Sequence, residues 1–232
     1  MSSDWAASAL GWWADAGVDT IVGEEPRDWL KPASKSPAAA PLAFSAPAAT
    51  MPDTLEAFQA WLLGGDMPLA SPAPRIGPAG DPGAGLMVLT DMPSADDVRA
   101  GHLLSGEAGA LFDRMLAAIG RGRDTIYLAP LSPTRTATGT LDAASARALA
   151  GIARRHVGLA APRALLLFGD TCAKILLGSA VAGTRGRWHE IDTEGGKIKT
   201  LVTIRPEKLL NQPALKRLAW EDLQRLKEGL TE

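Results

Sequence analysis

Residues 85–230 alternate between short apolar runs and longer amphipathic stretches. "GLMVLT" (85–90), "DTIYLA" (124–129), "RALLLFG" (163–169) and "IKTLVTI" (198–204) are nearly unbroken apolar segments of strand length. Such runs predict strands buried on both faces. Between them the period changes. In "GEAGALFDRMLAAIG" (106–120), Leu111, Met115, Leu116 and Ile119 fall on one helical face. "DAASARALAGIARRHVGLA" (142–160) predicts a helix capped by Asp142, and "DTCAKILLG" (170–178) a helix that starts directly after the third strand. Beyond Arg205-Pro206 a long amphipathic helix is expected to run to Leu230. Strands alternating with helices imply parallel pairing. The expected fold is α/β: a three-layer α/β/α sandwich with a central, mostly parallel four-stranded sheet.

The first 84 residues have no such rhythm. An N-terminal segment, 1–30, contains a short predicted helix from Asp4 to Gly17 that would expose tryptophans. "KPASKSPAAAPLAFSAPAATMP" (31–52) is rich in Pro, Ala and Ser and reads as a flexible linker. A main domain, 53–232, opens with "DTLEAFQAWLLGG", a helix capped by Asp53 or Thr54. The following stretch to Gly85 reads as loop. Within it "GPAGDPGAG" (77–85) imitates a phosphate-binding loop, but it precedes a strand instead of following one and lacks the Gly-Lys-Ser/Thr ending.

Composition narrows the function classes. The 232 residues are 46% hydrophobic and 22% charged, enough for a large core without disulfides. A net charge of -2 is less basic than a non-specific nucleic-acid binder usually carries, although basic residues can gather on one face. Cys172 is the single cysteine, which excludes an internal disulfide and any site of several thiolates. No cofactor and no metal are expected, and a reducing, cytoplasmic setting fits. The N-terminus lacks the basic flank and unbroken apolar core of a secretion signal, and no stretch is apolar enough to span a bilayer. His102, His156 and His189 are too scattered for metal-ligand spacing. His156 falls near a helix C-terminus beside Arg154 and Arg155, where positive charge is favoured. Cys172 lies in a first helical turn, and a buried structural thiol is preferred there to an activated nucleophile.

Four segments in order carry a more specific signal: "GEAGALFDRMLAAIGRGRDTIYLAPL", "RALLLFGDTCAKILLG", "RGRWHEI" and "TIRPEKLLNQPALKRLAWEDLQRLKEGL". Together, over about residues 85 to 230, they resemble the uracil-DNA glycosylase superfamily. The resemblance is closest to its bacterial and archaeal branch, which normally carries an iron–sulfur cluster. It implies hydrolysis of the bond between a flipped-out base and its sugar, with charge stabilised on the leaving base and a water placed at the sugar carbon.

Residue by residue, the resemblance implies an altered site. The water-positioning acid of the branch corresponds to Asp91 in "TDMPS", where Pro93 keeps the loop and Ser94 replaces a glycine. The aromatic residue that stacks on uracil corresponds to Leu104, and the asparagine that reads its edge corresponds to Pro130, which has neither amide nor backbone donor. The histidine of Thr-x-His-Pro is Arg205 in "TIRP". Arginine is always charged and carries five donors, so it can stabilise an anion, although its fork suits phosphate better than one carbonyl oxygen. The cluster cysteines are absent from "LLGGDMPLASPAP" and "SPTRTATG". Arg135, Arg185, Arg187 and Lys208 are candidate phosphate contacts, and Trp188 is expected to be structural.

Three readings follow. The first is an active glycosylase on uracil or another damaged base, with Asp91 holding water and Arg205 serving the leaving base. The second is a catalytically inactive homologue that binds DNA or protein. The third is an unrelated α/β protein with only architectural likeness. The expected partner is DNA, single-stranded or damaged. A protein partner docking on the N-terminal Trp segment is a further expectation, with packing of that segment on its own domain as the alternative.

Overall fold

The computed structural model describes residues 51–64, 67 and 73–231. The N-terminal Trp segment and nearly all of the linker lie outside the described residues. The first described helix, α1 (Leu55–Leu63), is capped by Thr54, whose side chain accepts from the Ala57 amide. Then come β1 (Ala79–Gly80), β2 (Leu86–Thr90), α2 (Ala95–Ala100), α3 (Gly106–Ala118), β3 (Tyr127–Pro130), α4 (Ala143–Ala160), β4 (Ala164–Phe168) and α5 (Gly169–Leu177). The chain continues through α6 (Val181–Thr184), β5 (His189–Thr193), β6 (Gly196–Thr203), α7 (Pro206–Asn211) and α8 (Lys216–Thr231).

The sheet has the order β1-β3-β2-β4-β6-β5. Its four central strands are the four apolar runs, and they pair in parallel. Every residue of β2, β3 and β4 is buried, so both faces of the sheet are covered. Helices α1, α4 and α5 form one contacting group, and α3 and α7 another, with α8 packed beside β6. Phe112 of α3 meets Phe168 of β4 edge to face, with ring centroids 5.7 Å apart. The α/β architecture and mostly parallel sheet expected from the sequence are therefore present.

The structure adds two antiparallel edge strands. β5 pairs with β6 as a hairpin. Its sequence, His-Glu-Ile-Asp-Thr, has one buried position, Ile191, as suits a polar strand at a sheet edge. β1 is two exposed residues inside the Gly/Pro-rich stretch expected to be loop, and it pairs with β3. The expected terminal helix is broken: Pro213 lacks the amide needed to continue α7, and a short 3-10 turn, Pro213–Leu215, precedes α8. A short helix, α2, was not expected. Ser94 and Asp97 close a reciprocal capping box at its start. Among the described residues, no helix is long and apolar enough to cross a membrane.

Topology fixes where a ligand can be met. β2 leads on to β3 on one side, while β4 leads on to β5 and β6 on the other. In an open parallel sheet, the crevice beyond the carboxyl ends of such a strand pair is the usual ligand position.

Candidate active site

Three chain segments meet at that crevice. Asp91 follows β2, Gly169-Asp170-Thr171 follow β4, and Arg205 follows β6 as the N-cap residue of α7. They line a cavity of about 200 Å³, together with Gly139, Val181, Ile204 and Lys208. Among the described residues the wall therefore carries two acids beside Arg205, Lys208 and the Thr171 hydroxyl, with no aromatic ring and no side-chain amide.

Asp91 is held from behind. Its carbonyl oxygen accepts from the amides of Leu131 at 2.9 Å and Ser132 at 3.2 Å, which ties the β2 loop to the β3 loop. Its side chain is 9% exposed, and Arg205 Nη1 donates to Oδ2 at 3.1 Å. The other carboxylate oxygen, Oδ1, is buried and has no hydrogen-bond partner. Burial raises the Asp91 pKa above the usual 3.8; the Thr171 side chain and the Arg205 charge act against that shift.

Gly169 makes room for the arginine. It sits at φ +88°, a conformation that costs glycine little. A Cβ there would lie 2.5 Å from Arg205 Cγ and 2.6 Å from Cδ. The arginine stem thus lies directly over the β4–α5 junction. Lys208 Nζ stands 3.6 Å from Asp170 Oδ2, a second ion pair on the same rim.

Of the residues named from the sequence, Asp91, Arg205 and Lys208 come together at the cavity, and the others do not line it. Pro93 is buried, and its carbonyl accepts from Arg135 Nη1 at 3.3 Å, so those two clasp neighbouring loops. Leu104 is buried with a left-handed backbone, φ +50°, and its carbonyl accepts from Arg123 Nη2 at 2.6 Å. Pro130 is the buried last residue of β3, paired with Thr90. Arg185 turns inward onto Asp222 and the Leu218 carbonyl. Arg187 is exposed and donates to the Gly183 carbonyl at 3.2 Å. Trp188 packs partly buried against the core.

Thr171, Asp170 and Gly169 were not singled out from the sequence. The available signal was position: "GDT" follows the third apolar run as Asp91 follows the first. His156 also differs from expectation. It is buried on α4, and its Nε2 lies 2.8 Å from the Tyr127 hydroxyl. Burial lowers its pKa to about 4, so it sits neutral in the core and does not serve as a helix-terminal charge. Cys172 is fully buried 3.7 Å from the Leu89 carbonyl, with burial pushing its thiol pKa well up.

The chain belongs to the uracil DNA glycosylase superfamily, whose family model matches residues 78–224. It is similar to the type-4 uracil-DNA glycosylase of Pyrobaculum aerophilum, with 23% identity over 146 residues, covering 60% of this chain and 74% of that protein. The donor set does not fit the iron–sulfur cluster that the resemblance associates with this branch. Cys172 is the chain's one cysteine, and among the described residues no three of His, Cys, Asp or Glu gather into a metal-holding group.

Proposed function

We propose that this chain uses the glycosylase scaffold to bind DNA without excising bases. The observation that carries the reading is the direct 3.1 Å contact between Arg205 and Asp91. The resemblance assigns these positions to the leaving base and the attacking water. Here the two groups engage each other across the mouth of the crevice. A carboxylate oxygen committed to a guanidinium is less available to orient water. Among the described residues, the cavity wall also lacks the ring and the amide by which a flipped base is stacked and read. Arg205 and Lys208 on its rim supply donors suited to phosphate.

One feature favours a second reading, an active glycosylase with a rebuilt pocket. Asp91 Oδ1 is buried and unpartnered beside the cavity, where a water molecule could be held. A base-excision assay on single- and double-stranded oligonucleotides carrying uracil, hypoxanthine or xanthine separates the two. The expected result is no release from any of them, with retention of the same oligonucleotides in a gel-shift assay that weakens as salt rises. Release that is lost in both Asp91→Asn and Arg205→Ala would establish the second reading instead.

A further inference from the structure

An apolar groove lies apart from the cavity, between α3 and α8. On α3 it is lined by Leu111, Arg114, Met115 and Ala118, and on α8 by Lys216, Ala219, Trp220 and Leu223. Each set follows the spacing i, i+3, i+4, i+7, which is one face of a helix. Leu209 of α7 closes the floor, one residue after Lys208, which faces the other cavity. The groove encloses about 210 Å³. Trp220 stands 45% exposed at its edge, a large apolar surface left in water.

The rim is charged with one sign. Arg114 and Lys216 are exposed, and neither has an ion-pair partner among the described residues. Their neighbours are paired: Arg123 with Asp113, and Arg217 with Glu221. Among the described residues, no acid lines the groove. Two parallel helical stripes with an apolar floor form the seat into which a third helix packs its own ridge. A second copy docking by the same face about a two-fold axis would set Arg114 and Lys216 against their own equivalents, which like-charge repulsion disfavours.

We infer that the α3/α8 groove is a docking site for an acidic amphipathic helix of a partner protein. Apolar residues of the partner would lie against Leu209 and Trp220, and its carboxylates would meet Arg114 and Lys216. This is the helix-in-groove mode of peptide recognition. It calls on none of the residues in the Asp91 cavity, so it stands or falls independently of base excision.

The test uses the full chain and a fluorescein-labelled synthetic helix with Trp and Leu anchors at about i, i+4 and i+7 and glutamates on its flanks. A twin peptide carries lysine for each glutamate. Fluorescence anisotropy should show the acidic peptide binding with a Kd of roughly tens of micromolar, and the lysine twin at least about tenfold weaker. Trp220→Ala should abolish binding, and Arg114→Glu with Lys216→Glu should reverse the preference. All three side chains are exposed, so the variants keep the fold, which circular dichroism checks. The inference is overturned by no binding of the acidic peptide, by equal binding of the twins, or by binding unchanged in Trp220→Ala. Dimerisation of the parent that Trp220→Ala abolishes in sedimentation would also overturn it, by giving the groove to a second copy.

Discussion

Two buried aspartates in this molecule have the same kinds of partner and different outcomes. Asp222 on α8 receives the Thr203 hydroxyl at 2.9 Å and Arg185 at 3.2 Å from Nε and 3.1 Å from Nη2. Its side chain is fully buried and both oxygens are satisfied. It fastens α8 and the loop before β5 to the end of β6. Asp91 also has a threonine and an arginine nearby, but one oxygen is unpartnered and the group borders an open cavity. Burial raises the pKa of both carboxylates first and foremost. Satisfaction of each lone pair distinguishes a staple from a site. A complete set of donors leaves no role for a ligand, while an incomplete set beside a cavity leaves one.

The largest effect should come from breaking the complete set. Asp222→Ala removes the buried partner of Arg185 and of the Thr203 hydroxyl, leaving the guanidinium the Leu218 carbonyl and Glu221 at 3.7 Å, and should cost about 3 kcal/mol in urea unfolding. A loss no greater than that of an ordinary surface substitution would show that the staple carries little stability.

A buried group with no counter-charge gives the next test. His156 is neutral, its Nε2 facing the Tyr127 hydroxyl, which Gln59 also contacts at 2.7 Å. Its folded pKa, about 4, lies below the unfolded 6.5. The unfolded chain therefore binds the proton first as the solution is acidified. Stability is complete above pH 6.5 and falls as pH drops toward 4, by about 3 kcal/mol in all. His156→Gln should flatten that part of the stability–pH curve, and an unchanged slope would assign it to other groups.

Gly169→Ala should cost about 2 kcal/mol, from its positive φ and the displaced Arg205 stem. Differential scanning calorimetry measures the loss, and a crystal structure should show Arg205 moved off Asp91. The smallest effect is expected at the incomplete set. Arg205 is 38% exposed and finds water when its partner changes, so Asp91→Asn should alter stability by less than about 1 kcal/mol. The sign is informative. With a folded pKa above 3.8, Asp91 favours the folded state most at pH below 3.8, and that contribution is lost as pH rises through the folded value. The asparagine variant should therefore gain on the parent as pH increases.

The cavity could be read only in part from the linear chain. Arg205 was identifiable from its place at the end of an apolar run, and Asp91 from the resemblance, which matches it to the water-positioning acid of the family. Their contact was not, because 114 residues separate them and only the β2-β4-β6 order brings them together. The resemblance matches Leu104 and Pro130 to base-contacting positions, yet neither lines the cavity. Arg185 looks like any loop arginine in sequence, and its attachment to Asp222 depends on how α8 packs. The capping box Ser94-x-x-Asp97 marks the start of α2 in the structure but was not read from the sequence, because six residues give too few turns for an apolar period to register.

By itself, the sequence determined the four central strands and the longer helices α3, α4 and α5 between them. Those elements are buried on one or both faces, and burial imposes a hydrophobic period that survives in one dimension. It also determined the absence of a multi-thiolate site, since one cysteine cannot supply it. Tertiary structure alone decided which charges became staples, which bordered a cavity, and which were left unpaired beside the α3/α8 groove. Charge pairing depends on distances of a few ångströms between residues remote in the chain, and no local period encodes them.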